Sequence, residues 1–127
     1  MLRGLLQRQA DEIGARLPSG NGVVLAVRRV LASEVAGGDI RIEAVARRLG
    51  FSARTLQRRL TASGVSYQQL VDSARREAAA RYLANSSLAI GEIAYLLGYS
   101  EPSAFHRAFK RWNGTTPHSL RRAHASR

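Results

Sequence analysis

Arginine carries most of the chemistry available in this 127-residue chain: nineteen of its twenty basic residues are Arg, and one, Lys110, is Lys. A planar guanidinium offers paired donors that match phosphate oxygens and the O6/N7 edge of guanine. Against nine acidic residues the basic set gives a formal charge of +11. A field of that sign favours a polyanionic partner, be it DNA, RNA or an anionic membrane. An Ala-, Arg- and Gly-heavy composition also follows from GC-rich coding, so charge alone does not choose. Other chemistries find no constellation. His106, His118 and His124 lack metal-ligand spacing, and neither Cys nor an HExxH pattern accompanies them. Asp11 and Glu12 are successive residues facing different directions on a helix, which suits solvated charges rather than an acid–base pair. No Gly-rich phosphate loop, nucleophile elbow or Ser/His/Asp order occurs, so no enzyme activity, cofactor or metal is expected.

The elements that must position these arginines read as helices. Apolar residues recur at three and four, and nowhere alternate over a strand-length window. With 45% hydrophobic residues the chain can bury a core. Residues 2–17 place Leu2, Leu6, Ile13 and Leu17 near one face, and residues 23–36 place Val24, Val27, Leu31 and Val35 on one stripe. A short helix over 42–49 (Ile42, Val45, Ala46, Leu49 inward) closes at Gly50. Ser52 then caps a helix over 53–63 with Leu56 and Leu60 buried, ending at Gly64. A long helix from Ser66 to Asn85 carries Tyr67, Leu70, Val71, Ala74, Ala78 and Tyr82 on its stripe, with Leu83 alongside. Residues 90–97 form a short helix (Ile90, Ile93, Ala94, Leu97) closed by Gly98. Ser100 is expected to cap a helix over 101–112 with Phe105, Phe109 and Trp112 inward. A last short helix follows the Thr-Pro turn after Gly114, and residues 123–127 should fray. No apolar run reaches membrane-span or signal-peptide length, and the lack of Cys suits a reducing compartment, so a soluble cytoplasmic protein without a membrane partner is expected.

Two stretches share one grammar. Ile42-x-x-Val45-Ala46-x-x-Leu49-Gly50-Phe51-Ser52 returns 48 residues later as Ile90-x-x-Ile93-Ala94-x-x-Leu97-Gly98-Tyr99-Ser100. The partner helices also match, Leu56/Leu60/Gly64 against Phe105/Phe109/Gly114, after slips of one and then two residues. A small alanine allows a crossing helix to approach, a glycine ends the first helix in a left-handed turn, and an aromatic anchors that turn. Each stretch thus has the ingredients of a helix-turn-helix, whose second helix can enter a DNA major groove. The long helix between them, about 20 residues at ~1.5 Å each, spans roughly 30 Å, near the ~34 Å of one B-DNA turn.

These residues resemble the C-terminal DNA-binding domain of the AraC/XylS family of bacterial transcriptional regulators. The second stretch carries the resemblance most fully: Ile90-Gly91-Glu92-Ile93-Ala94-x-x-Leu97-Gly98-Tyr99-Ser100, then Phe105-x-Arg107-x-Phe109-Lys110 and Gly114-x-x-Pro117. The segment Ser52-x-x-Thr55-Leu56-Gln57-Arg58-Arg59-Leu60 and Arg75-x-x-x-Ala79-x-x-Tyr82-Leu83 also fit. The resemblance covers roughly residues 23–122. It implies an all-α fold of about seven helices, to which the apolar stripe over 2–17 adds an extra N-terminal helix. Within it, two helix-turn-helix subdomains (42–63 and 90–112) are joined by a linker helix over 66–85. By position, it makes Arg54, Gln57 and Arg58 the base-reading residues of the first unit, and Pro102, Ser103, His106 and Arg107 those of the second. Arg pairs bidentately with guanine and Gln with adenine, so the first set has the richer reading chemistry. Ser52, Arg59, Ser100, Lys110 and Arg111 are the expected phosphate ligands. Ala89 stands where the family often has a capping Ser or Thr, and Gly91 lies inside the short helix. Arg75 is expected in a structural ion pair.

The resemblance further implies double-stranded DNA as partner, RNA polymerase as another, and nucleoid association when bound. Residues 1–22 would be the end of an effector-binding domain missing here. The competing reading is a non-specific architectural DNA- or RNA-binding protein that uses the basic field alone.

Overall fold

Across the described residues, helical periodicity becomes helix. The computed structural model describes residues 21–85 and 87–125, and among them it contains seven helices and no strand. They are α1 (Asn21–Glu34), α2 (Ile42–Leu49), α3 (Ala53–Ala62), α4 (Tyr67–Leu83), α5 (Ile90–Leu96), α6 (Pro102–Asn113) and α7 (Pro117–Ala125). The expected helix over 2–17 lies outside the described residues. The chain divides into two units. The first holds the described residues through Glu34 together with Gly38–Asp72; the second holds Val35–Gly37 and everything from Ser73 onward. The backbone of α4 therefore belongs to the first unit through Asp72 and to the second beyond it.

In the first unit α1 packs on α2 and α3, and α2 packs on α3. Val23, Val27, Val30 and Leu31 of α1 are buried with Val45, Ala46, Phe51, Leu56 and Leu60, and with Leu70 and Val71 of α4. Val27, Leu31 and Val35 of the expected stripe are buried, whereas Val24 is only half-buried and Val23 and Val30 are buried instead. Ile42 and Leu49 are likewise half-buried, while Ala44 joins the core. The Tyr67 hydroxyl donates to the carbonyl of Ile40 at 2.6 Å, tying the start of α4 to the loop before α2. Burial pushes that phenol up to about 12, with the negative charges of Asp39 and Glu43 adding to the effect. In the same loop Arg41 grips Asp39 through two side-chain contacts, at 3.0 and 2.7 Å, and donates its backbone N–H as well. These bonds hold the Asp39 carboxyl at about 2.

In the second unit α5 packs on α6, and α6 on α7. Its core joins Val35, Ala78, Ala79, Leu83, Ile90, Ile93, Ala94, Leu97, Phe105 and Phe109, with Trp112 and Leu120 half-buried against it. Phe105 and Phe109 meet edge to face, with centroids 5.8 Å apart.

Local rules set the boundaries of α4. Ser66 Oγ accepts from the Gln69 N–H and Gln69 Oε1 accepts from the Ser66 N–H, a complete capping box that makes Ser66 the cap and Tyr67 the first helical residue. At the other end Asn85 Oδ1 accepts from both the backbone and the hydroxyl of Ser87, which turns the chain two residues earlier than the expected end. The helix is 17 residues long, roughly 26 Å at the usual rise. At the far end of the chain, α7 carries helical backbone through Ala125, into the stretch expected to fray.

Candidate nucleic-acid interface

The same turn is built twice. In the first unit the Gly50 N–H bonds the Arg47 carbonyl and the Phe51 N–H bonds that of Ala46, with Gly50 at φ 83°. In the second, the Gly98 N–H bonds Tyr95 and the Tyr99 N–H bonds Ala94, with Gly98 at φ 91°. Both are Schellman closures, in which a left-handed residue past the helix end returns two N–H groups to the last turn. A side chain at either position would meet the steric penalty of that backbone region, so glycine is required. Ala46 and Ala94 are buried at 1% exposure each, as close approach of the next helix demands.

The restarts differ. Ser52 Oγ accepts from the Thr55 N–H at 3.1 Å and caps α3 as expected. Ser100 does not cap α6: the cap position is Glu101, without a side-chain cap bond, and Pro102 begins the helix. The second turn holds one more residue than the first, and a proline at the first helical position has no N–H to satisfy. Ser100 is left exposed one residue too early. The short helix α5 recovers part of the cap that Ala89 lacks, because Glu92 Oε1 accepts from the Ala89 N–H at 2.8 Å.

With Leu56 and Leu60 buried, α3 turns Arg54, Gln57 and Arg58 outward, and these line one open concave surface together with Thr61 and Ala62. With Phe105, Ala108 and Phe109 buried, α6 turns out Pro102, Ser103, Arg107, Lys110 and Arg111, with His106 half-buried among them. Counted from the first helical residue, Arg58 and Arg107 are both sixth, and Gln57 and His106 both fifth. Among the described residues no carboxylate pairs with Arg54, Arg58, Arg107, Lys110 or Arg111; the ion pairs there are Arg41–Asp39 and Arg48–Glu34. The outward cations are thus available to an external anion.

Two expected phosphate ligands already have internal work. The Arg59 guanidinium carbon lies 4.9 Å from the centroid of Phe51, over its ring. Ser52, besides capping, donates its hydroxyl to Thr55 Oγ1 at 3.0 Å. Arg75 is structural without being an ion pair. Its Nε–H donates to the Leu97 carbonyl at 3.1 Å, and its guanidinium carbon lies 4.9 Å from the Tyr99 centroid, so it holds the second turn by a carbonyl and a ring.

Sequence reasoning missed two arrangements. Arg121 on α7 donates to the carbonyls of Tyr82 and Leu83 in the last turn of α4 and to those of Asn85 and Leu88 in the loop after it, so one guanidinium holds the end of that helix and its exit. His106 and His118 stack with centroids 5.6 Å apart and planes 21° off parallel. Neither has a local signature, because the partners are distant in sequence. Among the described residues no cluster of His, Cys, Asp and Glu could hold a metal, and no helix is long and apolar enough to cross a membrane.

Comparison with known proteins agrees with this geometry. Residues 45–123 match a family model described as a helix-turn-helix domain. The chain is 38% identical over 120 residues to the ornithine utilization regulator of Pseudomonas aeruginosa, covering 94% of this chain and 35% of that protein. It spans about a third or less of the length of the first curated relatives it matches. Among solved structures it resembles a DNA-binding transcriptional dual regulator from Escherichia coli K-12, with TM-score 0.76 and 25% identity over 83% of this chain and 94% of that one. It also resembles the DNA-binding domain of AdpA, a global transcriptional factor solved in complex with a target DNA. There the TM-score is 0.63, with 28% identity over 82% of this chain and 93% of that one.

Proposed function

The chain belongs to the AraC-type helix-turn-helix family of DNA-binding transcriptional regulators, and from that premise we propose that it reads a bipartite duplex site. In this reading α3 and α6 each enter a major-groove segment. Arg54, Gln57 and Arg58 supply most of the base discrimination. Pro102, Ser103, His106 and Arg107 supply less, and Lys110, Arg111, Ser52, Ser100 and Arg59 contact phosphate. The DNA-binding domain is residues 23–122, with the two helix-turn-helix units at 42–63 and 90–112.

One observation carries the reading: Arg54, Gln57 and Arg58 lie exposed and unpaired by carboxylate on a single face of α3, directly after the turn that makes such a helix a reading head. Non-specific binding would need only scattered charge, not a planar fork and an amide aligned on one helix. The wider reading is a bacterial cytoplasmic regulator, nucleoid-associated when bound. It includes an effector-binding domain carried by a longer protein and RNA polymerase as a further partner.

Selection of bound duplexes from a random library tests this. Two sequence blocks should emerge, with the stronger preference in one of them. At about 150 mM salt the selected duplex should outcompete random DNA by at least about a thousandfold. Equal competition would establish the non-specific architectural reading instead.

A further inference from the structure

The stacked histidine pair fixes more than a ring position. His106 Nδ1 lies 2.8 Å from the Pro102 carbonyl oxygen, one helical turn earlier. A carbonyl only accepts, so the hydrogen in that bond is on Nδ1. A neutral imidazole carries one N–H, which leaves Nε2 as a bare acceptor. The ring cannot easily turn over to exchange its nitrogens. His118 from the first turn of α7 covers one face, and Phe105 meets it edge-on with centroids 6.1 Å apart. The platform under His118 is itself anchored, because Thr116 Oγ1 accepts from the Ser119 N–H at 3.1 Å and starts α7 there. His106 is thus a half-buried, pre-oriented acceptor at the position that Gln57 holds in α3.

We infer that His106 reads the amino edge of a base, accepting from adenine N6 or cytosine N4 in the major groove, and that His118 is the positioning residue that sets this preference. This rests on the reading of α6 as a base-contacting helix. Guanine O6 and N7 and thymine O4 are acceptors, and a lone pair set against them is unfavourable. A glutamine at the same place would offer donor and acceptor together and accept more bases. Locking one tautomer narrows the choice to bases that present an exocyclic amine in the major groove, adenine and cytosine, at a position where the flanking Pro102 and Ser103 discriminate little.

The experiment uses the whole chain at pH 8 and the duplex recovered by library selection. His106→Ala first identifies the base whose preference disappears. At that base, removing the amine (purine for adenine, 2-pyrimidinone for cytosine) should weaken binding about tenfold. Replacing adenine by 7-deazaadenine, which removes only the N7 acceptor, should leave it unchanged. His118→Ala should abolish discrimination at that base alone, and His118→Phe, which keeps a stacking face, should restore it. In the free protein, a long-range proton–nitrogen correlation spectrum should show the Nδ1–H tautomer. The inference is overturned by an Nε2–H tautomer, by sensitivity to the 7-deaza change, or by an unaltered preference in His106→Ala or His118→Ala while specific binding persists. If no sequence is selected at all, the specific-reader function falls and this inference falls with it.

Discussion

Among single residues, the outward arginines and Lys110 share a charge but not a task. Arg58 stands at the sixth position of α3 beside Gln57, where a fork can meet a base pair; Lys110 is a point charge further along α6. Arg58→Ala is therefore expected to weaken the selected duplex by about 1–3 kcal/mol and to relax the preference at one base pair. Lys110→Ala should weaken all duplexes alike and reduce the salt dependence of binding by about one phosphate contact. Competition titrations at two salt concentrations separate the two, and a uniform loss from Arg58→Ala would reassign it to phosphate. Asp39 offers a test of the fold's electrostatics away from this face. Its carboxyl is held at about 2 rather than the usual 3.8 by the Arg41 side chain. A depressed carboxylate stabilises the folded state fully above the unfolded value, and that contribution fades as pH falls from about 4 towards 2. Carbon-detected titration should place the Asp39 midpoint near 2, and Arg41→Ala should return it towards the ordinary range.

Among the elements, glycine has opposite meanings at two places seven residues apart in sequence. Gly91 lies inside α5 with ordinary helical neighbours, and a Cβ built there meets nothing within 4 Å. Gly91→Ala should stabilise the protein by up to about 1 kcal/mol in thermal melts, by removing backbone freedom from the unfolded chain. Gly98 has φ +91°, and its Cβ would fall 3.3 Å from the Arg75 guanidinium. Gly98→Ala should cost about 1–2 kcal/mol for the left-handed backbone alone, with the displaced Arg75 contact in addition. A melt in which the two variants move together would contradict this account. These turns were legible because their causes are local: a glycine, an alanine four residues before it and an aromatic after it lie within one window. The Ser66–Gln69 box was equally readable in principle. Ser100 misled because the serine is repeated while the helix start is not, Pro102 having shifted it by one residue. Arg75 is legible as structural, but its partner is not, since a backbone carbonyl such as that of Leu97 leaves no mark in the sequence. The site was legible at the level of which helix faces out, set by Leu56/Leu60 and Phe105/Phe109. The stacking of His118 on His106 depends on how α7 returns to α6, which no local pattern encodes.

For the molecule as a whole, the division into units does not follow the chain. Val35 sits at 3% exposure in the core of the second unit, although Glu34 before it and Gly38 after it belong to the first. Val35→Ala should remove about 2 kcal/mol from the second unit, by lost burial and the cavity left behind. Hydrogen exchange should show that loss at the amides of α5 and α6 and much less at those of α2 and α3; equal loss in both would mean that the units do not open separately. The interleaving has a consequence for the order of events at the ribosome. Every described residue of the first unit has been synthesised once Asp72 is added. The second unit, by contrast, awaits α7, whose Arg121 bonds the carbonyls of the last turn of α4 and of the loop after it. Val35 is thus made early and buried late. For the interval in which the rest of its unit is still being translated, the nascent chain carries an apolar side chain whose partners do not yet exist.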